Sequence, residues 1–198
     1  MNTKIIFSIA ICVCLLFSEN ASAQSNDLKL IHKGKYAKAE KNINKALKKD
    51  SLNAENLHAQ ALLLSQKKYT GFHVLHAYYS INKSISFYQS AEETKKEKWI
   101  KNDFPIDTLN TLRDRIFSLA LEQSIEENSI TGYQHFIDTY KESTTQKAEA
   151  IKRRDVLAYA EASRLNTEES YQYFISTYPL ATQKSEAVIN RDTRAYEK

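Results

Sequence analysis

A chain of 198 residues has room for one domain, or one repeat array, with a core of ordinary size. Three Gly and two Pro impose few turns, which makes an all-α chain the leading class and leaves long stretches free to be helical. The net charge of +4, from 28 basic and 24 acidic residues, describes a solvated mixed-sign surface and argues against a dedicated polyanion binder.

The chain opens with "MNTK", a largely apolar run over Ile5–Phe17, and "ASA" at positions 21–23. That order of positive start, short apolar run and small residues predicts a signal peptide over residues 1–23, cleaved after Ala23. The run is shorter than the ~20 residues that cross a bilayer as a helix, so no membrane span is expected after cleavage. Ile11 and Val13 precede the two cysteines where a lipidation signal would place a small residue. Because Cys12 and Cys14 both lie in the leader, a cleaved chain has no disulfide, thiol nucleophile or Cys-ligated zinc, and its stability comes from packing.

Residues 24–103 contain, from Gly34 to Tyr69, the phrase "GKYAKAEKNINKALKKDSLNAENLHAQALLLSQKKY". Gly34, Tyr36, Ala39, Ile43, Ala46 and Leu47 carry it, and Tyr69 recurs 33 residues after Tyr36. This phrase resembles the tetratricopeptide repeat (TPR), with Ser51 where that family prefers Pro. The resemblance implies an antiparallel helix pair joined at a turn, with Ala39 and Ala46 letting the helices touch, and it implies protein binding and no reaction. Further on, Val74, Tyr78, Ile81, Ile85 and Tyr88 alternate by four and three, predicting one amphipathic helix from near Phe72 into "SAEETKKEKWIK". Pro105, with Asp107 as N-cap, marks the next join, where a bend or mobile connection sensitive to protease over 94–106 is expected.

Residues 104–198 repeat themselves. Tyr133, Phe136, Ile137 and Tyr140 align with Tyr171, Phe174, Ile175 and Tyr178 at an offset of 38, and Arg154, Asp155, Ala158 and Tyr159 align with Arg191, Asp192, Ala195 and Tyr196 at 37. The lost residue places a loop at "KESTT" and "PLAT". Spacing of i, i+3, i+4 and i+7 puts the four large side chains on one stripe of a short helix, which predicts a core face. Ser129 and Thr167 are the expected N-caps, after helices that end at Asn128 and Asn166. Longer helices are expected over 108–127, 146–165 and from 183 onward, and the expected fold is a TPR-like solenoid of antiparallel helix pairs in a single continuous array. The later units resemble a longer TPR-like variant found in exported envelope proteins, whose short helix ends in "YP", here Tyr178-Pro179. By the 37-residue offset, either Tyr196 caps the array or the natural product continues.

Chemistry-bearing residues are few. His73 and His76 stand three apart on a helix, but two histidines without a third ligand do not make a metal site, and surface or partly packed side chains are expected. His135, equivalent to Tyr173, is expected to pack. Asp155 shares a helix face with Ile151, Ala158 and Ala162, so it should be partly buried and paired with a Tyr hydroxyl or a neighbouring Arg, the alternative being a groove-lining acid. No phosphate loop, G-x-S-x-G elbow or H-E-x-x-H is present, and neither an enzyme, a cofactor nor a nucleic-acid partner is expected. The expected role is a periplasmic or secreted scaffold of the cell envelope that binds a protein or peptide. Two alternatives are an accessory small-molecule or glycan-binding protein and the repeat spacer of a larger envelope protein.

Overall fold

A computed structural model describes residues 26–197, so the leader expected over 1–23 lies outside the described residues. Within them the chain is all-helical, with ten helices and no strand. They are α1 (26–32), α2 (Tyr36–Lys49), α3 (Ala54–Leu64), α4 (Val74–Ser90), α5 (Glu93–Lys101), α6 (Ile106–Glu127), α7 (Ile130–Thr139), α8 (Thr144–Leu165), α9 (Glu168–Thr177) and α10 (Lys184–Tyr196). The chain divides into two compact units, the first ending at Ile116 and the second beginning at Phe117.

In the first unit, α1 and α2 are separated by Gly34, whose φ of 69° is the left-handed turn that a side chain resists. Ala39 and Ile43 are fully buried on α2, while Tyr36 and Ala46 are half-buried. Asn53 caps α3 by accepting from the Asn56 amide at 2.9 Å. Small side chains let α3 and α4 approach: the Ser84 hydroxyl, fully buried, donates to the Ala54 carbonyl at 2.6 Å, and Ser80 donates to Gln60 at 2.9 Å.

Two expectations fail in this unit. A single helix from Phe72 through Lys101 is not formed, because Ala91 and Glu92 adopt extended backbone (ψ 152° and 148°) and divide it into α4 and α5. The break lets α5 turn Trp99 inward, and its ring stacks on Tyr88 at 4.9 Å and meets Phe104 edge-on at 6.0 Å. Trp99 and Phe104, in the segment before Pro105, are both buried. Asp107 is not the N-cap of α6 but lies in its first turn, where its charge suits the helix dipole. Tyr69, 33 residues after Tyr36, lies outside the helices. It sits in the turn before α4 with its ring 5.8 Å from that of Tyr36, and a Cβ on Gly71 would lie 2.6 Å from that ring, so glycine is required there.

The second unit follows the sequence closely. Ser129 accepts from the Gly132 amide at 2.8 Å and Thr167 from the Ser170 amide at 3.1 Å, each closing the first turn of a short helix. Asn128 and Asn166 end the preceding helices with φ of 47° and 52°. Both asparagines also accept from the phenol one turn into the next helix, Tyr133 at 3.4 Å and Tyr171 at 3.1 Å. Tyr133, Phe136, Ile137 and Tyr140 are all buried, as are Tyr171 and Phe174, whereas Ile175 and Tyr178 are half-buried. Ala158, Ala162, Tyr171, Phe174, Ala181 and Ala187 form one core cluster, and each large ring in it is worth roughly 1.5–3 kcal/mol of burial.

One detail of helix crossing recurs with its parts exchanged. Between α6 and α7 the Ser124 hydroxyl, 3.3 Å from the Ala120 carbonyl of its own helix, also reaches the Gly132 carbonyl at 3.5 Å. Between α8 and α9 the hydroxyl comes from the other side, Ser170 lying within donating distance of both the Thr167 carbonyl at 2.9 Å and the Ala162 carbonyl across the crossing at 3.0 Å. Ser124 aligns with Ala162 and Gly132 with Ser170, so each crossing holds one hydroxyl and one smaller side chain.

Candidate functional site

Arg154 and Asp155 form a fork within α8. The guanidinium donates Nε at 3.0 Å and a terminal nitrogen at 2.7 Å to one Asp155 oxygen, and its other terminal nitrogen donates to Gln134 on α7 at 2.7 Å. On the far side, the Tyr178 ring lies 4.8 Å from the Arg154 guanidinium carbon. Asp155 is buried, as its helix face implies, and its partner is the neighbouring Arg and not a phenol.

Arg191 and Asp192 repeat the fork on α10. The two bonds to the carboxylate are 2.9 and 2.7 Å, and Arg191 donates to Gln172 on α9 at 2.8 Å. Gln134 and Gln172 were not singled out from the sequence, although "YQ" stands at the same place in both phrases and was the signal available. The forks differ in surroundings: the Asp155 side chain is 6% exposed and the Asp192 side chain 53%.

Neither fork lines the apolar groove of this unit. That groove, about 390 Å³, runs between the C-terminal half of α8 and the outer side of α9, with Ala158, Ala162 and Phe174 at its base. Leu165, 50% exposed, and Tyr173, 67% exposed, stand along it, and Glu161 and Glu169 belong to its lining. Glu161 is held by Arg164 through bonds of 2.7 and 2.9 Å, and that pairing lowers its carboxyl below the usual range. The groove therefore offers mostly apolar surface, suited to one large apolar side chain of a partner.

His135 corrects an expectation, since both it and its counterpart Tyr173 point to solvent. The position accepts either ring because it lies outside the core stripe, not because it packs.

The first unit has its own cavity, about 370 Å³, among α2, α3, α4 and the turn carrying Tyr69. Its lining is mixed, with Glu40, Gln60, His76 and Ser80 beside Ile43, Leu63, Leu64 and the rings of Tyr69 and Tyr79. Burial and the neighbouring Glu40 carboxylate push the Tyr69 phenol up to about 12. His73 caps α4, its Nδ1 accepting from the His76 amide at 3.3 Å with the two rings stacked at 3.8 Å. Among the described residues, no group of three His, Cys, Asp or Glu is placed to hold a metal ion, and no helix is long and apolar enough to cross a membrane.

No family model, no curated protein and no solved structure matches this chain.

Proposed function

We propose that this chain is a non-catalytic, exported protein-protein interaction scaffold of the cell envelope, built as a TPR-like solenoid of antiparallel helix pairs. Support for the repeat reading is the doubled set of caps, phenol–asparagine bonds and Arg–Asp–Gln forks in the second unit. Export rests on the leader sequence at 1–23. One observation carries the binding role: the α8/α9 groove keeps Leu165 and Tyr173 in solvent beside an apolar base, an arrangement that costs hydration unless a partner covers it. The partner is a peptide or protein segment that places an apolar side chain between Tyr173 and Leu165.

A photo-crosslinking amino acid at position 173 tests this in the intact envelope. The expected result is a discrete protein adduct that is absent with the same crosslinker at exposed Lys48 and lost when Leu165→Arg is added. No adduct at position 173, or an adduct indifferent to Leu165→Arg, overturns the proposal.

A further inference from the structure

Glu40, on α2, stands half-buried at the cavity of the first unit with its charge uncompensated. Among the described residues it forms no ion pair with a Lys or Arg, and its hydrogen-bond partner is the Tyr69 phenol. Backbone bonds hold that phenol in place. The Tyr69 amide donates to the Gln66 carbonyl at 2.9 Å, Phe72 donates to Tyr69 at 3.0 Å, and His73 donates back to Leu64 at 2.9 Å, so the segment between α3 and α4 is folded by successive turns. Gly71 leaves open the space that the Tyr69 ring fills. A second ring, that of Tyr79 on α4, lines the same cavity and is 57% exposed. Ile43 and Leu63, both buried, supply apolar wall, while Gln60 is already engaged by the Ser80 hydroxyl at 2.9 Å.

These features select among occupants by charge. A neutral or anionic group would strip water from the Glu40 carboxylate without replacing its hydrogen bonds. A divalent metal ion needs more oxygen ligands than one carboxylate and two phenols provide. An ammonium group satisfies the carboxylate through charge-assisted hydrogen bonds and is attracted to the face of a phenol ring. About 370 Å³ is room for a short alkyl chain behind it.

We propose that the cavity among α2, α3 and α4 is a binding site for an alkylammonium group, with Glu40 accepting its N–H donors, the Tyr69 and Tyr79 rings beside the cation, and the alkyl chain lying on Ile43 and Leu63. The group belongs either to a free amine or to the lysine side chain of a peptide, which present the same chemistry. The site lies wholly in the first unit and is independent of the α8/α9 groove, so either reading can fail without the other.

The test is a titration of the ¹⁵N-labelled purified chain with n-pentylammonium chloride, followed by amide chemical shifts, with n-pentanol and pentanoate as neutral and anionic counterparts. The expected result is a saturable shift in the low millimolar range for the amine, at least about ten-fold weaker for pentanol and for pentanoate. Glu40→Gln, which keeps the shape and removes the charge, should weaken the amine at least about ten-fold, and Tyr79→Ala, at an exposed position, about three-fold or more. Far-UV circular dichroism checks that both variants keep their helices. Nα-acetyl-lysine methylamide distinguishes the sources: binding equal to that of the amine assigns the site to a lysine side chain, and binding of the amine alone assigns it to a free amine. No saturable shift, pentanol binding as tightly as the amine, or an amine affinity indifferent to Glu40→Gln or to Tyr79→Ala overturns the proposal.

Discussion

His58 provides a sharp test of how the first unit is held together. Its side chain is buried on α3, its Nδ1 has no hydrogen-bond partner, and the Phe104 ring meets it edge-on at 5.4 Å. Burial pushes the imidazole down to about 4 from its ordinary 6.5. The folded chain therefore holds it neutral, while the unfolded chain takes up a proton near pH 6.5. Stability from this residue is present in full above pH 6.5 and is lost as pH falls toward 4. Relative to pH 7, the loss is about 2 kcal/mol at pH 5 and about 3 kcal/mol at pH 4. Urea unfolding followed by Trp99 fluorescence reports on the same unit, and at pH 5 the midpoint should drop by about 1–2 M. His58→Leu, close in volume and without a titrating group, should remove most of that drop. Burial raises the carboxyls of Asp27 and Glu55, so acidification favours the folded state through them, but they act equally in both chains and cancel in the comparison. If the Leu variant loses as much stability between pH 7 and 5 as the original chain, the imidazole is not held neutral and the reasoning is refuted.

Other outcomes follow from the second unit. Asp155→Ala should lower stability by about 1–3 kcal/mol in calorimetry, since it strips a partly buried guanidinium of its carboxylate, while Asp192→Ala should fall within about 0.5 kcal/mol. Equal effects would mean that the cover given by α9 does not matter. Phe174→Ala should cost about 3–5 kcal/mol by chemical denaturation, against a small change for Tyr173→Ala one position earlier. For the α6/α7 crossing, a Cβ at Gly132 would lie 2.6 Å from the Glu127 carboxyl carbon, so Gly132→Ser should destabilise, and Glu127→Ala made with it should recover part of the loss. A double-mutant cycle with no coupling would remove that account.

What the sequence made legible is the part where one residue type does one job. Ser129, Thr167, Asn128 and Asn166 act through their own backbone and nearest neighbours, so spacing alone locates them. The stripe from Tyr133 to Tyr140 was equally plain, since four large rings and chains at helical spacing have one way to be hidden. The division at Ala91 was not legible. "QSAEE" contains nothing that forbids a helix, and the break is decided by distant packing, where Trp99 gains the Tyr88 and Phe104 rings only if α5 turns. The grooves escaped notice for a similar reason: Leu165, Tyr173 and Ile130 come from three helices, and one-dimensional periodicity has no record of which of them share a wall.

The hydroxyl comes from opposite sides at the two helix crossings, and this bears on how the two segments could be recombined. At each crossing a serine hydroxyl reaches a carbonyl of the facing helix, and the two positions of each pair stand eight residues apart, at 124 and 132 or at 162 and 170. A segment copied with its break point between those two positions would bring two hydroxyls, or none, to the same crossing. Duplications that cut inside a long helix and end in the same place one period later keep the match. The joints that keep one hydroxyl at each crossing therefore need not coincide with the loops.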